Sequence, residues 1–238
     1  DSIYEKLHLV EGGQAFRRNP HTFALEHFLP AGMISQPALV SLLTGIYDAD
    51  LELNENQTFW QGQMNTSLPA QLKRLGYRTE FWYGGGLNWG SLMHFCPALG
   101  FDRCYGGTDI CADDAPRTWL GVYDHIFLQE AARRIKEESA ETPVFHFIYT
   151  TSNHGPFRMP LQELGFDLQR VMPEAPAAIR QDARMVRQLG VYWYADQALS
   201  DFVRDMQQTY PDSLILVTGD HSMGIIPYQY GVVDRREP

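Results

Sequence analysis

The chain has 238 residues, 44% of them hydrophobic, which is enough apolar mass for one large α/β domain. Acidic side chains outnumber basic ones by 29 to 19, and the resulting net charge of −10 excludes sequence-independent nucleic-acid binding, which runs on Lys and Arg against phosphates. No apolar run approaches the roughly 18 residues of a membrane span, and no signal peptide is visible. The chain opens on Asp1-Ser2-Ile3-Tyr4, without a Met and inside a helical pattern, and it stops at Pro238 soon after its best motif. The expectation is a fragment, with one strand preceding residue 1 and another following residue 238.

Strand and helix signals alternate from there on, which predicts a mostly parallel sheet sandwiched between helices. Residues 36–45 read as a short helix with Pro37 near its start and Gly45 just past its end. Ser67-Leu68-Pro69 caps a helix running to Leu75, and 77–83 is a strand closed by Gly84-Gly85-Gly86. A short helix follows at 90–99. Residues 102–118, rich in Gly, Asp, Pro and Cys, read as a surface excursion. A helix is predicted over 120–136, then a strand over 143–149 so uniformly apolar that both its faces should be buried. Residues 150–160 form a polar loop and 161–176 read as irregular. A long helix spans about 178–208, and Pro211 separates it from a strand at 213–218. Neither a repeat nor a linker divides the chain, so residues 1–238 are expected to form one catalytic domain.

Three segments carry chemistry. The apolar run 213–218 ends in Gly219-Asp220-His221, a carboxylate and an imidazole at the carboxyl end of a strand, where open α/β sheets place their sites. Ser35 stands at the start of the 36–45 helix. It serves either as an ordinary N-cap or as a nucleophile whose alkoxide and incoming phosphate or sulfate share the helix N-terminus. The loop Thr151-Ser152-Asn153-His154-Gly155-Pro156-Phe157 leaves a buried strand. His154 there is a candidate general acid or donor to a non-bridging oxygen, or else a loop His bonded to backbone. Cys96, Cys104 and Cys111 fall within sixteen residues without metal-knuckle spacing, so one disulfide with a spare thiol and three free thiols both fit.

The segment Ser35-Gln36-Pro37-Ala38-Leu39-Val40-Ser41-Leu42-Leu43-Thr44-Gly45 resembles the signature of the sulfatases, in register. Asp220-His221 resembles a metal-ligand motif of the same alkaline-phosphatase-like superfamily. Ser152-Asn153-His154-Gly155-Pro156-Phe157 is similar to the corresponding loop of its lipoteichoic acid synthase branch. The resemblance runs from about residue 25 to 235. It implies an α/β fold of the alkaline-phosphatase type, with Ser35 as nucleophile and metal ligand, and Asp220 and His221 as further ligands. It also implies a substrate-binding role for Asn153, for His154 at the phosphate, and for Trp89. Two departures matter: Leu39 replaces the sulfatase Arg that supports formylglycine, and Gly90-Ser91-Leu92 stand where the synthases carry an Arg after the binding Trp.

The implied function is a metal-dependent phosphoryl-group transferase or phosphodiesterase of the phosphoglycerol type. The metal would be a divalent ion, Mn2+ first, with Mg2+, Zn2+ or Ca2+ as alternatives. The substrate would be a phosphate ester, on a lipid headgroup or a glycan. Membrane association would come from segments outside this chain, with the domain on the extracytoplasmic side. The rival readings are a sulfatase, which would need Ser35 converted to an aldehyde, and a catalytically inactive sulfatase-like binding domain.

Overall fold

The computed structural model describes residues 5, 7–25, 30–49, 51–138, 141–171, 173 and 175–221. Among these, three parallel strands are hydrogen-bonded in the order β2-β1-β3: β1 Arg78–Tyr83, β2 Arg103–Gly106 and β3 Val144–Tyr149. The α-helices of five or more residues are α1 Glu11–Arg18, α2 Ser35–Thr44, α3 Leu68–Arg74, α4 Leu92–Leu99, α5 Asp124–Glu137, α6 Ala177–Gln181 and α7 Ala183–Thr209. The expected α/β class with a parallel sheet and flanking helices is what the chain adopts. The strands expected before residue 1 and after residue 238 lie outside the described residues.

The described chain gathers into two compact units. One combines residues up to 25 with Ser152–Ser213, and the other combines 30–151 with 214–221.

The second unit holds the sheet. Strand side chains alternate between faces, so Phe81 and Tyr83 of β1 share a face with Phe147 and Tyr149 of β3. That face packs with Leu39, Val40 and Leu43 of α2 and Leu92, Phe95, Cys96 and Leu99 of α4 into one apolar core. The opposite face carries Trp82 and the fully buried Glu80. Glu80 is ringed by Arg78 at 2.9 Å, His146 at 3.3 Å and Arg103 at 3.7 Å. Burial alone would raise the Glu80 pKa, but these partners outweigh it and hold the carboxyl below its usual range.

Local chemistry explains the helix ends. Gly45 adopts φ +72° and its N–H donates to the Ser41 carbonyl, the left-handed C-cap that its position predicts. The Ser67 hydroxyl accepts from the Ala70 N–H and donates to the Leu99 carbonyl, so it caps α3 and ties it to the end of α4.

Four expectations need correction. Residues 103–106, assigned to a surface excursion, form β2. Short and polar, this strand is held by its register against Glu80–Tyr83. The helix expected over 178–208 is broken at Asp182, whose carboxylate accepts from the N–H groups of Arg184 and Met185 and so starts a new helix. β3 is half-buried at every position instead of covered on both faces, because among the described residues it pairs only with β1. Residues 213–219 form no strand with the described residues, and Leu214 and Leu216 are more than 80% exposed.

In the first unit the Asp196 carboxylate of α7 receives the N–H groups of Gly12 at 2.8 Å and Gly13 at 2.9 Å, capping the N-terminus of α1. The two helices meet so closely that a Cβ on Gly12 would lie 2.6 Å from the Ser200 Cβ and 1.7 Å from its hydroxyl. Gly12→Ala is therefore expected to cost about 1–3 kcal/mol as the helices are forced apart. The check is the urea midpoint at constant m-value, and an unchanged midpoint would show that this contact is not formed.

Candidate active site

Ser35 is the first residue of α2. Ile34 precedes it in extended conformation and serves as N-cap, and no side chain caps the helix. The N-cap reading of Ser35 is therefore corrected: its hydroxyl is not spent on the helix. Instead the Ser35 Oγ lies 3.0 Å from the His221 Nε2. Asp220 Oδ1 accepts from the His221 backbone N–H at 2.9 Å, and its Oδ2 lies 3.6 Å from the same imidazole nitrogen. Residues 186 positions apart in the chain thus converge at the carboxyl end of the sheet.

Tyr149, the last residue of β3, completes the cluster. Its hydroxyl donates to Asp220 Oδ2 at 2.6 Å. Burial, then the Asp220 charge, pushes the phenol pKa far above its ordinary value, so Tyr149 remains a neutral donor. Beside it stands Tyr83, its register partner on β1, with ring centroids 5.6 Å apart. Trp89 stacks on the other side of Tyr83 at 5.3 Å. Trp89 is thus joined to the Ser35 cluster through two tyrosine rings. Neither tyrosine was identified from sequence. The signal available was positional: both are the final residues of strands whose carboxyl ends form the site.

Gly90, one of the positions where the resemblance would put an Arg, adopts φ +54°, and its carbonyl accepts from Asn54 Nδ2 at 2.9 Å. A Cβ there would approach Gln36 Nε2 to 3.0 Å, so the backbone itself disfavours a side chain.

Asn153 and His154 belong to the other compact unit. Asn153 is exposed, and the half-buried His154 has its Nδ1 2.8 Å from the Gly155 carbonyl oxygen.

The donor chemistry fits a divalent cation. Ligand atoms about 2.1 Å from one ion and at right angles lie roughly 3 Å apart. The 3.0 Å between Ser35 Oγ and His221 Nε2 has that spacing, and the 3.6 Å between His221 Nε2 and Asp220 Oδ2 is wider. The His221 side chain is only 7% exposed, and its Nδ1 has no hydrogen-bond partner among the described residues. One carboxylate and one imidazole make a partial set: no group of three His, Cys, Asp or Glu able to hold a metal occurs among the described residues. No helix among them is long and apolar enough to cross a membrane.

Known proteins share the fold of this chain. The chain is 24% identical over 175 residues to lipoteichoic acid synthase 1 of Bacillus subtilis, an alignment covering 71% of this chain and 26% of that protein. Its fold matches the crystal structure of the lipoteichoic acid synthase LtaP from Listeria monocytogenes. The TM-score is 0.67 at 18% identity, over 84% of this chain and 47% of that one. It also matches the Streptococcus pyogenes phosphoglycerol transferase GacH in complex with sn-glycerol-1-phosphate, with TM-score 0.56, 11% identity, and coverage of 85% and 52%. The chain spans about a quarter of its curated relative and about half of each of these solved chains. A parallel sheet with a hydroxyl, a carboxylate and an imidazole gathered at its carboxyl end coincides with a match of residues 17–235 to the Sulfatase family model, and the chain belongs to that family.

Proposed function

We propose that the chain is the catalytic portion of a metal-dependent phosphoryl-group transferase or phosphodiesterase that handles phosphoglycerol-type esters through Ser35. One observation carries this reading: the Ser35 hydroxyl, uncommitted to its helix, lies 3.0 Å from the His221 imidazole. The likeness to two lipoteichoic acid synthases and to a phosphoglycerol transferase holding sn-glycerol-1-phosphate supports the substrate class. Leu39, standing where the sulfatases carry the Arg that supports formylglycine, favours it over the sulfatase reading.

Ser35, Asp220 and His221 would hold the divalent ion, with Mn2+ the first choice. When bound, such an ion supplies Lewis-acid stabilisation of phosphate charge and lowers the pKa of a hydroxyl. The chain's own groups do the rest. The first turn of α2 offers the backbone N–H groups of Ser35 and Gln36, Pro37 having none, as a seat for non-bridging phosphate oxygens. The Ser35 Oγ attacks phosphorus in line, the bond to the leaving alcohol breaks, and a phospho-Ser35 ester results. Tyr149 keeps its proton and fixes Asp220 by hydrogen bonding. His154 and Asn153 are assigned to the substrate phosphate, with His154 returning a proton to the leaving alkoxide. Trp89 is assigned to the headgroup. An acceptor alcohol or water then releases the phosphoryl group from Ser35. The enzyme would work on the extracytoplasmic side of a membrane, reaching a lipid headgroup or glycan through the protein to which these residues belong.

The test is paired turnover. The chain with Mn2+ is expected to cleave a chromogenic phosphate diester and to leave the matching aryl sulfate intact, with intact-mass analysis showing an unmodified Ser35. Preference for the sulfate together with an aldehyde at position 35 would establish the sulfatase reading. Manganese binding without turnover of either ester would establish the inactive binding domain.

A further inference from the structure

We propose that Cys96 and Cys104 are a built disulfide-forming pair, a redox modification site that links α4 to β2. All three cysteines are free thiols, but they are not equivalent. Cys96 lies in the last turns of α4, fully buried in the apolar core. Cys104 is the second residue of β2 and pairs in register with Phe81, which points it at the core that contains Cys96. Cys104 packs against the core cluster that contains Cys96, and after burial its thiol is a cause of the raised Cys96 pKa. Cys111 has different neighbours, Glu130, Arg134 and Arg117. Helix, strand and the turn at Gly100 therefore bring together two sulfurs only eight positions apart in the chain, on elements held independently by the Phe101 N–H to Cys96 carbonyl bond and by the sheet.

Accessibility divides the labour. Cys104 is half-exposed and meets an external disulfide first, whereas burial pushes the Cys96 thiol up and keeps it protonated and silent on its own. With oxidised glutathione as the co-reactant, the Cys104 thiolate attacks one glutathione sulfur, forming a mixed disulfide and expelling one glutathione thiolate. The Cys96 sulfur then attacks the Cys104 sulfur of that mixed disulfide. The Cys96–Cys104 bond forms, the second glutathione leaves, and the Cys96 proton goes to it. Two thiols of the chain are oxidised, and one glutathione disulfide is reduced to two thiols. The bond locks α4, and with it the turn Trp89–Ser91 that leads into that helix, onto the central sheet. This inference is independent of the reaction assigned to Ser35.

The experiment is native treatment of the whole chain with oxidised glutathione, removal of the glutathione, denaturation in the presence of iodoacetamide, and peptide mapping. The expected product has lost two hydrogens and alkylates at one cysteine, Cys111, in place of three for the reduced chain, and dithiothreitol restores all three. Cys111→Ser is expected to leave the bond intact. Cys96→Ser is expected to trap glutathione on Cys104 as a stable adduct. Three alkylated cysteines, a lasting glutathione adduct on wild-type Cys104, or a bond involving Cys111 would each overturn the pairing. The wild-type map decides the question even if a serine variant folds poorly.

Discussion

Ser35→Ala is expected to lower turnover of a phosphate diester by at least about a thousandfold, the scale on which loss of an activated nucleophile removes transition-state stabilisation. The fold should survive. Ser35 is half-buried and its side chain makes no capping bond, so the helix start depends on Ile34 and on the Ala38 N–H to Ile34 carbonyl bond, which the variant keeps. An unfolding free energy within about 0.5 kcal/mol of the parent is expected for such a substitution. Initial rates with saturating Mn2+ and a thermal unfolding curve on the same sample decide it. Parent-like turnover would remove Ser35 from the reaction and transfer the nucleophile's role elsewhere, whereas lost turnover with lost folding would be uninformative about chemistry and is what the unfolding curve guards against. Ser35→Thr, which retains a hydroxyl at the same place, is the natural comparison.

Asp220→Asn is expected to weaken Mn2+ binding by at least about tenfold to a hundredfold, measured by calorimetric titration. The substitution isolates charge from shape. An amide oxygen can still accept the His221 backbone N–H that Oδ1 now accepts, so the end of the loop should stay in place. What disappears is the negative charge facing His221 and the carboxylate oxygen that receives the Tyr149 hydroxyl. Because the described donor set contains a single carboxylate, its neutralisation removes most of the attraction for a hard cation. Equal affinity in the two proteins would place the metal, if any, away from Asp220.

How much of this was legible beforehand follows from what each signal is made of. Ser35, Asp220 and His221 were visible because they sit at the ends of elements marked by strong local chemistry: Pro37 and Gly45 around one helix, and Gly219 after an apolar run. Their convergence, which the sequence could only suggest, depends on the order of strands. Gly45 and Ser67 behaved as their residue types dictate. β2 was hidden because Arg103-Cys104-Tyr105-Gly106 has no apolar alternation, and its strand character comes entirely from lying against β1. Glu80 was hidden for the opposite reason: a buried carboxylate in a central strand contradicts the apolar pattern, and only Arg78, Arg103 and His146 make it tenable. The break between α6 and α7 had a readable cause in Asp182, overlooked because helix-forming residues continue on both sides. The run at 213–218 was read as a strand on hydrophobicity, but a strand also needs a hydrogen-bonding neighbour, and none of the described strands provides one.

The separation of 186 positions between the Ser35 hydroxyl and its imidazole neighbour has a consequence for biosynthesis. Closing so long a loop costs entropy that is recovered only when the intervening sheet has formed. A ribosome exposes Ser35 long before it makes Asp220 and His221, so the cluster cannot assemble until the last of these residues has emerged. With Ser35 as the nucleophile proposed above, reactivity would arrive late and all at once.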